Sequence, residues 1–217
     1  MPDAPTSRTQ VHRLPERARY DRDTIDRILD EALICHVAWT DEGGRARVLP
    51  TIQARVGDTL YLHGSRAARA WKAVAGGAEV CVAATIVDGL VLARSAFHHS
   101  MNYRSVVLYG RAREVTDPDE LLTAAKAITR HVLPGREDEA RMPASEEFKQ
   151  TILFAVPIEE ASAKVRTGPP KDDEDDLELP VWAGVLPLVT RPGTPEPSPD
   201  LLEGIDVPSY VTRAERP

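Results

Sequence analysis

Aromatic residues are scarce in this sequence. Three Trp, five Tyr and three Phe make up 5% of its 217 residues, so Val, Ala, Leu and Ile must fill most of any core. Cysteine is scarcer still, with Cys35 and Cys81 alone. Each lies in a largely apolar stretch, Ala32–Val37 and Ala78–Ala84, the setting of a buried free thiol. Neither belongs to a Cys-x-x-Cys pair, so zinc and dithiol redox chemistry find no site and none is expected. The usage suits a reducing compartment. No apolar run approaches the ~18 residues of a membrane span, and residues 1–16 lack an apolar signal core. A cytoplasmic protein without a membrane partner is expected. Basic charge is in deficit: 27 Lys and Arg face 34 Asp and Glu, a net of −7. Without a basic stripe, nucleic acid is not an expected partner. Six acids and one Lys crowd into Lys171–Glu178, which reads as a solvated loop. The G-x-G-x-x-G and Walker loops, Ser-His-Asp sets and paired carboxylates are also missing. Rossmann, triphosphatase and hydrolase chemistry therefore lose support.

What is present reads as many short strands. Residues 1–20, with Pro2, Pro5 and Pro15, form an arm with little structure of its own. Ile25, Ile28, Leu29 and Ala32 predict a short amphipathic helix capped by Asp23 or Thr24. Leu33–Thr40, Arg45–Arg55 and Thr59–His63 read as three strands. The turn signals Asp41-Glu42-Gly43-Gly44 and Gly57-Asp58 join them into an antiparallel meander. A helix over Ala67–Val74 stops at Gly76-Gly77. Glu79–Ile86 and Leu90–Ser95 are β-type segments split by Asp88-Gly89, and Tyr103–Val115 is a long strand. Pro118–His131 is helical, with Asp117 as its cap, and Ser145–Gln150 is a short helix. Ile152–Ile158 and Ser162–Arg166 are late strands, and Leu179–Val189 is one more apolar segment. Arg191–Pro217, rich in Pro and acids, is an extended tail. One domain over 21–190 is expected, mainly β with flanking helices, closing or nearly closing into a barrel. The strands do not alternate with helices as a doubly wound sheet requires.

Three places can carry chemistry. At Tyr61–Arg69 a strand gives way to a helix. Free N–H groups at such a start attract anions; Ser65 can cap or bind phosphate, and Arg66 offers a planar fork. An ordinary cap beside a solvated arginine is the plainer alternative. Next, Phe97–Ser105 packs polar groups before a long strand. Adjacent His98 and His99 point to opposite faces of a strand, and two histidines alone make a poor zinc site. Either can serve as an acid–base group, a haem ligand or a hydrogen-bond donor, or the segment is a loop of satisfied polar groups. Finally, Arg45 and Arg47 share one face of the second strand, which is otherwise a solvated face. Trp182 more often anchors a core, and Asp88 is most simply a turn residue.

Four strings, in this order, resemble a known family: Arg47-Val48-Leu49-Pro50-Thr51, Tyr61-Leu62-His63-Gly64-Ser65-Arg66, His98-His99-Ser100-Met101-Asn102-Tyr103-Arg104-Ser105, and Val181-Trp182-Ala183-Gly184. They are similar to the pyridoxamine 5′-phosphate oxidase-like proteins, most of all the flavin-nucleotide-binding branch related to nitroimidazole-resistance proteins. The resemblance implies a split β-barrel, antiparallel and Greek-key-like, forming a homodimer with flavin mononucleotide (FMN) at the subunit interface. By motif position, Arg47, Ser65 and Arg66 hold the phosphate. Val48, Leu49, Pro50 and Thr51 line the ring, His63 joins the binding set, and Asn102, Arg104 or Ser105 donates hydrogen bonds. Trp182 closes the site, and His98 or His99 gives a proton or touches substrate. Ala67 stands where the oxidases carry a basic residue, and their late Arg-x-His has no counterpart. The expectation is an FMN-dependent oxidoreductase acting on an undefined small molecule. Its alternatives are a haem- or flavin-holding module without turnover, a nitroreductase-like detoxifying enzyme, or a deazaflavin in the pocket.

Overall fold

A computed structural model describes residues 6–214; the first five residues of the arm and the last three of the tail lie outside it. The chain enters through a 3-10 turn at Pro15–Arg17 and the short strand β1 (Ala18–Arg19). Helix α1 (Arg22–Glu31) follows. Asp21, two to three residues earlier than the predicted caps, accepts the Thr24 N–H at 2.9 Å. Ile25, Ile28 and Leu29 are buried, as their spacing demands.

β2 (Cys35–Thr40) and β3 (Ala46–Thr51) form the expected hairpin. The predicted strand Arg45–Arg55 is in fact two. After Ile52 the chain leaves for a second sheet as β4 (Gln53–Val56), paired with β5 (Thr59–Ser65). Gln53 anchors this corner: its buried amide donates to the Ala32 and Leu29 carbonyls at 2.5 and 3.2 Å. The meander is thus divided between two sheets. α2 spans Arg69–Ala75, with Ala68 and not Ser65 at its N-cap. Asp88-Gly89 does not end a strand either. β6 (Glu79–Leu92) runs through it and absorbs Asp88 as an extra residue between Val87 and Gly89.

β7 (Ser100–Arg111), β8 (Arg113–Glu114), α3 (Pro118–Val132), α4 (Arg136–Glu139) and α5 (Ser145–Gln150) come next. β9 (Thr151–Pro157), β10 (Glu160–Arg166), β11 (Gly184–Pro187) and α6 (Ser209–Thr212) complete the order. All pairings are antiparallel. One sheet runs β1-β10-β7-β6-β2-β3 with β11 beside β6; the other runs β4-β5-β9-β8. Their inner faces, with α1, share one core that includes Val37, Val82, Leu108, Leu62 and Phe154. The fold is mainly antiparallel sheet with a few helices, consistent with a split barrel. Both thiols are free, Cys35 buried and Cys81 half-buried.

Three features place the functional surfaces. β6 outruns β2 after Ala84, and β7 begins three residues before its pairing with β10. Gly89–Asn102, flanked by β11, therefore projects as a tongue. The acidic loop is not simply solvated. Asp172 accepts the Arg94 backbone N–H and its guanidinium, both at 2.8 Å, and its side chain is buried. The arm, expected to be unstructured, is pinned too: Arg8 pairs with Glu79 and Glu160 and lies 4.4 Å over the Tyr109 ring. The tail is exposed throughout Leu186–Val207 and then docks, the Tyr210 hydroxyl donating to Glu139 at 2.6 Å.

Candidate functional site

Two tryptophans organise the first site. Trp71 of α2 stacks on Trp39 of β2, centroids 6.3 Å apart, and tilts against Phe154 at 5.3 Å. Trp39 is the register partner of Arg47 on β3. The Trp71 indole also presses on Gly64 of β5, where an added Cβ would lie 1.8 Å from its Nε1. Arg47 therefore lies beside Trp39, and Gly64, between His63 and Ser65, lies against Trp71. The Thr51 hydroxyl ties the end of β3 to β5 by donating to the His63 carbonyl at 3.2 Å. Val48 and Pro50 face outward from this edge strand, and Leu49 packs against the core. The result is an open notch rather than an enclosed cavity.

The two guanidiniums of the notch are half-exposed and held by carboxylates. Arg47 meets Asp41 at 2.8 Å and Arg66 meets Glu114 at 2.6 Å. The Arg45 backbone N–H, then the Arg47 side chain, hold the Asp41 carboxyl below its ordinary range. Exposed ion pairs of this kind contribute little and exchange easily for a better anion. His63 is different. Its Nδ1 is buried without a partner, and burial pushes the imidazole below its ordinary 6.5. A buried acceptor left open in this way invites a donor from outside the chain. With two exposed guanidiniums and the Ser65 hydroxyl beside it, the notch fits a phosphate-bearing ligand.

The second set sits at the tongue. Asn102, Arg104 and Ser105 spend their side-chain donors within the chain. Asn102 donates to the Gly168 carbonyl at 3.2 Å and accepts from Arg166. Arg104 is clamped between Glu31 and Asp88, and Ser105 donates to the Lys164 carbonyl at 3.3 Å. Asp88 is thus more than a turn residue. A cleft of about 600 Å³ opens beside this cluster, lined in part by Ile34, Ile86 and Leu188. His98 Nε2 meets Asp173 at 3.1 Å, and His99 Nδ1 meets the Ser95 carbonyl at 2.9 Å. These acceptors put the proton on Nε2 of His98 and on Nδ1 of His99, leaving the His99 Nε2 lone pair free. Trp182 is no core anchor; it is 67% exposed and folds over Gly184.

Arg47 and Asn102 are far apart in one chain. Trp39, the partner of Arg47, pairs with Val80, and Asn102 pairs with Gly89 nine residues further along β6, about 30 Å at ~3.3 Å per residue. Thr51 and Ser105 come closer in register, at Ala84 and Thr85 of β6.

The family model described as pyridoxamine 5′-phosphate oxidase matches residues 21–165. The chain belongs to this family. A flavocytochrome from Azotobacter vinelandii shares 39% identity over 97% of this chain and 98% of its own, with a TM-score of 0.90. A structure described as an FAD and haem binding protein, from Mycobacterium smegmatis, shares 34% identity over 90% and 96%, with a TM-score of 0.85. A described 5-nitroimidazole antibiotic resistance protein from Bacteroides thetaiotaomicron is 24% identical over 68% and 86%, with a TM-score of 0.57, and is alike in fold. No curated protein sequence matches the chain.

As a pyridoxamine 5′-phosphate oxidase family member, the chain has features that its motifs alone did not reveal. Gly64 belongs to the Tyr61–Arg66 string, but its contact with Trp71 needs the fold. Asp41, Glu114 and Asp173 carry no local signal as partners of Arg47, Arg66 and His98. The charge run at Asp172 was visible, and its role as a clasp for Arg94 was not. Among the described residues no cluster of three metal-type ligands occurs, and no helix is long and apolar enough to cross a membrane.

Proposed function

We propose that the protein is a flavin-nucleotide-binding redox protein that works as a homodimer. Arg47, Ser65 and Arg66 of one copy hold the phosphate, with His63 accepting a ligand hydrogen bond behind them. The flavin ring lies between the β3 edge, Val48 to Thr51, and the tongue of the second copy. A bound flavin supplies hydride and electron transfer, and the chain supplies its orientation and environment. Asn102, Arg104 and Ser105 stiffen the tongue, while His98, His99 and Trp182 face outward from it toward the ring and substrate. The likeness to a flavocytochrome over nearly the whole chain is the observation that carries this reading. The likeness to the FAD and haem binding protein favours the dinucleotide, FAD, over the FMN that the motifs suggest.

The free Nε2 of His99 supports a second chromophore. A histidine whose Nδ1 proton is fixed by a carbonyl presents Nε2 as a metal ligand. Haem held there is our second reading, supported by the likeness to one protein described as FAD and haem binding and to another described as a flavocytochrome.

The deciding measurement is the visible spectrum of the purified protein, followed by acid release and chromatography of the pigment. We expect flavin bands and released FAD, plus a Soret band that His99→Ala abolishes. Arg66→Ala together with Arg47→Ala should weaken flavin binding at least tenfold. A colourless protein that takes up neither FMN nor FAD on titration would refute the proposal.

A further inference from the structure

A cleft of about 770 Å³ opens between α1, β4, α3 and α4. Three consecutive residues of β4, Ala54, Arg55 and Val56, line it. Neighbouring residues of a strand point to opposite faces, so a cavity that touches all three runs along the strand's edge. β4 is an edge strand, paired with β5 alone. Val56 and Thr59 flank the two-residue turn Gly57-Asp58, which makes them, and then Ala54 and Tyr61, the hydrogen-bonded pairs. The Arg55 N–H and C=O therefore point away from β5, to the open edge. An open donor and acceptor at a sheet edge are a template for another extended backbone.

The walls are firm. The His131 ring lies 2.9 Å from the Ala32 carbonyl and joins α3 to the end of α1. The Arg55 side chain is tied to α1 by Asp30 at 2.6 Å and Asp26 at 3.3 Å. Tyr210 packs on Gly135 and holds α4 through Glu139. Little ordering is left to lose on binding. Charge describes the occupant. Most charges on the cleft pair within the chain: Arg55 with Asp30, Glu31 with Arg104, and Arg130 with Glu137. Lys126 and Asp138 also line it, and their side chains meet no partner among the described residues. One spare ammonium and one spare carboxylate match a ligand with one charge of each sign. Ala127, Leu133 and Pro134 add apolar surface. We infer that the cleft binds a short peptide with free termini, laid as an added strand along β4. Arg55 exchanges main-chain hydrogen bonds with it, while Lys126 and Asp138 meet its carboxylate and its ammonium. The site is separate from the notch. Leu60, the register partner of Arg55, stands five residues before Ser65 on β5, about 17 Å at ~3.3 Å per residue.

Amide-resolved hydrogen exchange of the full chain tests this, with the tripeptide Ala-Val-Ala, free at both ends, as the probe. Without peptide the Arg55 amide should exchange readily, while those of Ala54 and Val56 are protected by β5. Saturating peptide should slow exchange at Arg55 at least tenfold. In calorimetry the same peptide, acetylated and amidated, should bind at least tenfold more weakly. Lys126 is exposed, so Lys126→Glu should weaken binding of the free peptide to a similar degree with circular dichroism unchanged. Absence of binding at millimolar peptide overturns the inference, and so does binding that leaves exchange at Arg55 unaltered. Equal binding of free and blocked peptides overturns it too, because Lys126 and Asp138 would then have no part in recognition.

Discussion

Gly64 lies so close to the Trp71 indole that no side chain fits between them. Gly64→Ala must displace a ring that also packs on Trp39 and Phe154. Overpacking of this kind costs about 1–3 kcal/mol. Urea unfolding should show that loss, and flavin affinity should fall with it because Ser65 and Arg66 follow directly. His63 makes a pH-dependent contribution. Burial holds its folded pKa below the ordinary 6.5. As pH falls through that value, the unfolded chain takes up the proton first, so stability declines until the folded ring is protonated too. Above it both states are neutral and the contribution is constant. Urea midpoints between about pH 7.5 and 5.5 should therefore fall more steeply for the natural chain than for His63→Gln. Parallel curves would contradict this. Cys35, its thiol pushed up to about 12 by burial, stays a core residue rather than a nucleophile.

At the scale of elements, the tongue depends on the loop that folds back on it. Asp172 joins that loop to Arg94 by two bonds, and Lys171 beside it is exposed. Asp172→Ala should free the loop without touching the core. Limited trypsin digestion should then cut after Lys171 severalfold faster than in the natural chain, since cleavage of an ordered loop follows its opening. An unchanged cleavage rate would mean that Arg166 and Asn102 hold the loop by themselves. α1 shows the simpler kind of dependence, in which one cap and one apolar stripe suffice. α2 has neither a side-chain cap nor an N-terminus at Ser65. Its place is set by the Trp71 contacts, which explains why its start was misplaced by local signals.

At the scale of the whole molecule, a site shared by two copies links ligand binding to association. A ligand that binds only the assembled form must stabilise it, and the coupling is reciprocal. Saturating flavin should therefore lower the dimer dissociation constant in sedimentation velocity, about tenfold for each 1.4 kcal/mol of coupling. An association constant indifferent to flavin would place the cofactor within one copy. The apolar stretch at the β2–β3 end of the outer face supports a shared site. Ala38, Val48 and Pro50 stand on the side of the sheet away from the core, where an antiparallel sheet facing water is normally polar.

The residues alone determined much of this. Period-two and period-3.6 patterns disclosed most strands, the helices α1, α3 and α5, and the mainly β class, because burial of one face repeats along the chain. Short motifs pointed to Arg47, Ser65 and Arg66 as the anion-binding set proposed above, because guanidinium and hydroxyl groups near a strand end have recognisable chemistry. Only the tertiary structure decided that Ile52 separates two sheets, that β6 runs through Asp88-Gly89, and that Trp71 shapes the notch. It alone paired Arg66 with Glu114 and Arg104 with Glu31, contacts spanning 48 and 73 positions. Such choices depend on which surfaces meet in space, and alternation along a strand encodes which side is buried but not what it is buried against.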